Sequence, residues 1–156
     1  MVAVNDTEAV RVLHIYQEIE INAPIAIAWE AILAEMGPEG VMPNDKTQPF
    51  PMVLEAWPGG RWFRDLGDNA GHFWGHVQVI KPPKLLEICG PLFMSYAATN
   101  HVQYRLIETG DMTTLQLTHR GLGQITQDVF DGANAGWDFR NQRTKEFAEK
   151  LAARAN

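Results

Sequence analysis

The sequence predicts an α+β fold in which an antiparallel sheet of about seven strands packs against a long C-terminal helix. Two observations predict it. Several segments between residues 13 and 119 alternate apolar and polar side chains, which is typical of strands with one buried face. From Gln127 onward the apolar residues repeat at i, i+3 and i+4 for some 24 residues, which is typical of an amphipathic helix. A sheet followed by a closing helix forms a layered α+β architecture.

The N-terminal part of the chain predicts a strand and then a helix. Leu13 to Ile21 alternates with a period of two, and Asn22-Ala23-Pro24 stops this strand and offers a helix start. Ile25 to Met36 has its apolar residues at helical spacing, and Gly37-Pro38 ends the helix. The segment from Gly40 to Pro51 is rich in proline and polar residues, so we expect a loop or a short helical turn there.

Six further strands are expected in the middle of the chain. They are Met52–Trp57, Arg61–Leu66, His72–Ile80, Leu85–Gly90, Val102–Leu106 and Thr113–His119. Pro58-Gly59-Gly60 predicts a hairpin turn between the first two, because glycine can adopt a positive φ. Lys81-Pro82-Pro83-Lys84 cannot continue a ladder, and Pro91–Asn100 is expected to form a longer apolar loop. In the closing helix, Gly136 is expected to permit close packing against the sheet.

Length and composition restrict the class of protein. The 156 residues match one domain, and we expect residues 1–156 to form it with a core from about 12 to 151. A net charge of −6 disfavours nucleic acid and anionic membranes as partners, since both need a basic face. No apolar run approaches the ~20 residues of a membrane span, and Met1–Asp6 lacks the pattern of a signal peptide, so a cytoplasmic location is expected. With Cys89 as its lone cysteine, the chain predicts neither a disulfide nor a zinc site, and no cofactor is expected.

Four short stretches, in this order along the chain, resemble the helix-grip fold of the START-like superfamily, also called SRPBCC proteins. They are Ile21-Asn22-Ala23-Pro24 before a helix that bears Trp29, Trp57-Pro58-Gly59-Gly60-Arg61-Trp62, the segment from Gly75 to Leu85, and Gly136-Trp137. Within the superfamily, the chain resembles the branch related to Aha-type activators of heat-shock-protein ATPases. The resemblance implies a curved sheet that wraps the C-terminal helix, with short helices after the first strand and a cavity between sheet and helix. It also implies an apolar or amphipathic small-molecule ligand, although fold alone does not fix function.

Aromatic side chains supply most of the candidate ligand contacts. The candidates are Trp57, Trp62, Phe73, Phe93, Tyr104, His119 and Trp137. Large flat side chains can line a pocket for a ring-bearing ligand, but each of them can equally fill the core. Trp137 lies on the helix that forms the cavity floor in the resembling fold, and Phe93 lies in a loop that could cover the cavity mouth.

His119 and Tyr104 are the candidate catalytic residues. Both share the parity of apolar neighbours on their strands, so both are expected to point inward. An imidazole with its ordinary pKa of about 6.5 can act as acid or base near neutral pH. Each residue has a structural alternative, a hydrogen bond to the backbone. His72 and His76, four residues apart on a strand, lie roughly 13 Å from each other and cannot share one zinc ion.

Three functions remain open at this point. The first is binding of an apolar or amphipathic small molecule between the sheet and the C-terminal helix. The second is an enzyme similar to polyketide cyclases and aromatases, which would need His119 and Tyr104 to point into one cavity. The third is a protein-interaction role like that of the chaperone activators, which a filled core with an exposed apolar patch would favour. An exposed sheet face could also support a homodimer.

Overall fold

The structure, a computed structural model that describes residues 9–155, confirms the predicted α+β architecture and the helix-grip arrangement. Its elements in chain order are β1 (Arg11–Ile21), α1 (Ile25–Met36), β2 (Val41–Met42), β3 (Asp45–Pro49), β4 (Val53–Leu54), β5 (Arg61–Gly67), β6 (Ala70–Lys81), β7 (Leu85–Gly90), β8 (Ala98–Thr109), β9 (Met112–Gly123) and α2 (Gln127–Arg154). Seven of these strands form one antiparallel sheet in the order β1-β9-β8-β7-β6-β5-β4.

The region between α1 and β4 differs from the expectation. A small two-stranded sheet of β2 and β3 lies where a loop or a short helical turn was predicted, so a single helix follows the first strand in the described chain. The fourth strand is also shorter than predicted. It ends at Leu54, and Trp57 lies in the turn that follows, where its N–H donates to the carbonyl of Glu55.

The long helix α2 is capped at its N-terminus and carries favourable charges at both ends. Thr126 caps its first turn, where the side-chain oxygen accepts a hydrogen bond from the N–H of Val129. Asp128 in the first turn and Arg154 in the last turn carry the charges that the helix dipole favours. The helix packs against β1 and α1, so its remaining faces are left for solvent and for the space beneath the sheet.

No helix within residues 9–155 is long and apolar enough to cross a bilayer.

A β-bulge in β6 reverses the direction of one predicted inward side chain. Trp62 pairs with Gly75 and Phe63 pairs with Phe73, so Trp74 has no partner in this register. An extra residue of this kind shifts the alternation of the strand by one. Trp74 therefore points into the core at 9% exposure, while Phe73 points outward at 44%. The prediction that Phe73 faces the cavity is wrong for this reason.

Candidate functional site

A pocket of about 470 Å³ opens between α2 and the sheet. Its walls come from the end of α1, the β2–β3 hairpin, β6, the loop between β7 and β8, and one face of α2. Its apolar lining residues are Val41, Met42, Pro43, Phe50, Trp74, Phe93, Val129, Ala133, Trp137 and Phe139. The size and the apolar lining are typical of small-molecule sites.

Two glycines leave a side-chain-free strip on the α2 face of this pocket. Gly132 and Gly136 are one helical turn apart and both line the pocket. A Cβ atom built at either position would meet nothing within 4 Å. The expectation that Gly136 permits close packing against the sheet is therefore wrong, because open space lies there instead.

A set of polar side chains, which we call the arginine cluster, combines Arg140 and Arg143 of α2 with Glu35 of α1 and Tyr104 of β8. The guanidinium carbon of Arg140 lies 5.5, 5.9 and 5.7 Å from the ring centroids of Trp62, Trp74 and Trp137. These distances are within the range of cation–π attraction. The ring faces hold the charge in place, but Nη1 of Arg140 is buried and has no hydrogen-bond partner.

One carboxylate faces the two guanidinium groups of this cluster. Glu35 is only 3% exposed, and its Oε1 lies 3.1 Å from Nη2 of Arg143. The two atoms form an ion pair, but they are not aligned as a hydrogen bond, and Oε1 has no hydrogen-bond partner. Burial raises the pKa of Glu35 above its ordinary value, although nearby Arg143 and Arg140 act in the opposite direction.

Tyr104 lies behind the pocket wall, beside Arg140. It is 2% exposed and its ring meets Trp137 edge-on, with the centroids 6.2 Å apart. Burial raises the pKa of Tyr104 to about 12, against the opposing charge of Arg140. The Arg140 side chain lies within hydrogen-bonding reach of this hydroxyl and opposes the rise in its pKa, but the contact is not aligned as a hydrogen bond.

His119 belongs to a second set, the histidine cluster of His119, Asn100 and Trp137. The indole N–H of Trp137 donates to Nδ1 of His119 at 2.9 Å, so Nδ1 is the unprotonated nitrogen. Nε2 then carries the proton and donates to Oδ1 of Asn100 at 2.8 Å. Burial lowers the pKa of His119 to about 4. The imidazole is therefore neutral, and both of its nitrogens are occupied.

Asn100 extends the histidine cluster to the loop over the pocket. Its side-chain NH₂ lies 3.4 Å from the carbonyl oxygen of Gly90 and 3.3 Å from that of Pro91. It also lies 3.5 Å from Sδ of Met94. The loop that starts at Pro91 carries Phe93, which lines the pocket. The buried histidine is thus linked to the pocket wall through the loop that Asn100 holds.

The structure divides the seven predicted ligand contacts into three groups. Phe93 and Trp137 line the pocket. Trp62, Tyr104 and His119 are buried in the core behind the lining residues. Trp57 and Phe73 are 57% and 44% exposed and lie outside the lining, which corrects their assignment as pocket residues. The predicted arrangement with His119 and Tyr104 pointing into one cavity is not found.

Sequence reasoning missed the three charged lining residues, Glu35, Arg140 and Arg143. A signal was present for Glu35, because it follows Ala28 and Ile32 at helical spacing on the buried face of α1. The two arginines carry no such signal, since long charged side chains on a helix are typical of the solvent-facing side.

In residues 9–155, no three or more His, Cys, Asp or Glu side chains are grouped so that they could hold a metal ion.

Comparison with known proteins adds information on the fold. No family model and no curated protein matches the sequence. Among solved structures, CalU16 from Micromonospora echinospora is 20% identical, with a TM-score of 0.59 over 94% of this chain and 90% of its own. DynU16, a protein in the dynemicin biosynthetic locus, is 16% identical, with a TM-score of 0.63 over 89% of this chain and 48% of its own.

A third similar structure is StfQ, the di-domain ARO/CYC from the steffimycin biosynthetic pathway. It is 13% identical, with a TM-score of 0.62 over 91% of this chain and 52% of its own. This chain thus spans about half the length of DynU16 and of StfQ. The resemblance to the branch of Aha-type activators stays a prediction. At these identities the similarity shows the architecture, and the chain has the helix-grip fold.

Proposed function

We propose that the protein binds an apolar small molecule in the pocket between α2 and the sheet. The observation that carries this proposal is the glycine strip on α2, Gly132 and Gly136. Glycine inside a helix costs roughly 0.5–1 kcal/mol of stability relative to alanine. No protein atom lies close enough to explain why a side chain is absent at either position. A flat ligand that packs on the helix backbone would explain it, because it needs the space that a side chain would fill.

The histidine cluster supports a binding role rather than catalysis by His119. Both ring nitrogens of His119 are occupied, and its pKa of about 4 keeps it neutral above that pH. Its hydrogen bonds orient Trp137 and, through Asn100, the loop that carries Phe93. A wall that is fixed before the ligand arrives lowers the cost of binding.

Binding of N-phenylnaphthylamine tests the proposal. This dye is uncharged, has an apolar ring system and fluoresces when it leaves water. We expect the wild type to bind it and Gly136→Leu to bind it about tenfold more weakly or worse, because the leucine side chain fills space that the dye needs. Leucine is a better helix former than glycine, so the variant should retain its fold.

Ala135→Leu is the matched control for the dye experiment. It adds a leucine to the same turn of α2, at an exposed position that does not line the pocket. We expect dye binding within about twofold of the wild type, because surface substitutions away from the site change little. Equal dye binding by the wild type and Gly136→Leu would contradict the proposal.

A second candidate function is an enzyme similar to polyketide cyclases and aromatases, and Glu35 favours it. Glu35 is the buried carboxylate of the pocket, and its raised pKa brings it closer to the range useful for proton transfer. Its carboxylate would take a proton from the carbon next to a ketone and leave an enolate. In D₂O the protonated acid would exchange that proton with solvent and return a deuteron to the same carbon. Deuterium exchange into the methyl group of acetonaphthone, present with wild type and absent with Glu35→Gln, would support this function.

The protein-interaction role has less support. A filled core would favour this role, but the described part of the chain contains a pocket of about 470 Å³. The expected homodimer stays a prediction.

A further inference from the structure

The formal charges of the side chains that line the pocket do not cancel. Arg140 and Arg143 contribute two positive charges and Glu35 contributes one negative charge, which leaves a net charge of +1 inside a chain of net charge −6. Glu35 is the ion-pair partner of Arg143. In the described residues, no carboxylate lies within 4.0 Å of the guanidinium of Arg140.

Arg140 is also short of hydrogen-bond acceptors. Its guanidinium is surrounded by Trp62, Trp74 and Trp137, whose ring faces attract a cation but accept no conventional hydrogen bond. Buried Nη1 has no aligned hydrogen-bond partner, and the one nearby acceptor is the neutral hydroxyl of Tyr104, which does not balance the charge. Leaving a buried charged donor unpaired is costly, so such a group is expected to have a partner in the functional state of the protein.

We propose that the ligand is an apolar carboxylate, whose carboxylate group binds Arg140 while its apolar body lies on Gly132 and Gly136. The inference rests on the proposed binding function and adds the chemical class of the ligand. These three residues follow one another at intervals of four, so they form one stripe of about 12 Å along α2. The planar guanidinium has the geometry to bind a carboxylate through two parallel hydrogen bonds.

Glu35 limits where the carboxylate group can bind. It already occupies one side of Arg143, so a second carboxylate beside Arg143 would be repelled. Arg140 lies one turn closer to the glycines and has no such competitor within 4.0 Å in the described chain. The apolar body therefore extends from Arg140 toward Gly136 and Gly132, past Phe93 and Val129 on the pocket wall.

Displacement of N-phenylnaphthylamine by two matched competitors tests the inference. Naphthoate and naphthylmethanol share their rings and differ in carrying a carboxylate or a neutral hydroxymethyl group. In Arg140→Met we expect the inhibition constant of naphthoate to rise about tenfold or more, and that of naphthylmethanol to change less than about twofold. Arg140→Lys, which keeps the charge but not the planar pair of donors, should recover part of the naphthoate binding.

Arg154→Met is the matched control variant. It removes the same charge from the exposed C-terminal turn of α2, and neither competitor should bind differently. In the wild type, naphthoate should displace the dye at lower concentration than naphthylmethanol. This comparison needs no variant, so it tests the carboxylate class of the ligand even if Arg140→Met loses the dye.

The outcomes separate the two proposals. The carboxylate inference fails if naphthoate is the weaker competitor in the wild type. It also fails if Arg140→Met binds naphthoate as the wild type does, or weakens both competitors equally. In these cases the binding function stands as long as Gly136→Leu still blocks the dye. A dye that binds Gly136→Leu as well as the wild type overturns the binding function and the carboxylate inference together.

Discussion

The histidine cluster and the arginine cluster are both buried polar groups next to Trp137, yet they differ in how far their hydrogen bonds are satisfied. His119 uses both ring nitrogens, and Asn100 uses its oxygen and its NH₂ group. The arginine cluster has unpartnered buried atoms on Glu35, Tyr104, Arg140 and Arg143. Its charges are held by ring faces and by one ion pair.

From this difference we infer that one cluster stabilises the fold and that the other belongs to the proposed ligand site. A buried network with every hydrogen bond made stabilises and rigidifies the protein around it. A buried network with free donors and acceptors is costly and is kept where binding or chemistry requires it. The histidine cluster is therefore structural, and the arginine cluster is the polar end of the proposed ligand site. Substitutions in each cluster should separate stability from binding.

The largest effect is expected from His119→Leu. The substitution leaves the Trp137 indole N–H and the Asn100 side-chain oxygen buried without partners. Each lost partner costs roughly 1–3 kcal/mol, so we expect the free energy of unfolding to fall by about 4 kcal/mol. Denaturant unfolding followed by tryptophan fluorescence measures it. His72→Leu is the control, because His72 is exposed and its loss should change stability by less than about 0.5 kcal/mol.

A loss of less than about 1 kcal/mol in His119→Leu would contradict the assignment of the histidine cluster as scaffold. It would mean that Trp137 and Asn100 find other partners when the imidazole is absent. The same result would weaken the contrast between the two clusters, since both would then tolerate unpaired groups.

A somewhat smaller effect is expected from pH. In the folded protein burial lowers the pKa of His119 to about 4, whereas in the unfolded chain it is about 6.5. Between these values the unfolded state binds the proton and the folded state does not, so stability falls as the pH drops below 6.5. The loss from this group approaches about 3 kcal/mol near pH 4 and is absent above pH 6.5.

The pH effect is measured as a difference between two proteins. The stability advantage of the wild type over His119→Leu should be greatest at pH 7 and shrink toward pH 4, because the variant lacks this titration. Subtraction removes the contribution of Glu35, whose raised pKa acts in the opposite direction in both proteins. A constant difference across this range would show that His119 titrates normally in the folded state.

The fold could be predicted from the sequence because its signals are local and repeated. Strand β1 and helix α1 follow from alternation and from helical spacing, and α2 follows from a helical pattern of some 24 residues. Phe73 shows where this reasoning stops. In a regular strand its position in the alternation would point Phe73 inward, but the bulge at Trp74 turns it outward. No local sequence pattern predicts such a bulge.

The site was harder to predict because it depends on hydrogen bonds between distant segments. His119 drew attention as a buried imidazole, but the sequence does not show that Asn100 and Trp137 occupy both of its nitrogens. Arg140 has the opposite problem. A helical arginine suggests a solvent-facing side chain, and only the assembled fold places three indole rings around it.

The smallest effect is expected from Tyr104→Phe, which removes a buried hydroxyl with no hydrogen-bond partner. Only an unaligned contact with Arg140 is lost, so the free energy of unfolding should change by less than about 0.5 kcal/mol. Thr113→Val is the matched comparison, because the Thr113 hydroxyl is equally buried but donates to the carbonyl of Ala23 at 2.8 Å. That substitution orphans the carbonyl and should cost about 1–2 kcal/mol. Equal losses in the two variants would mean that the Tyr104 hydroxyl is bonded in solution, and the arginine cluster would then be more complete than the structure shows.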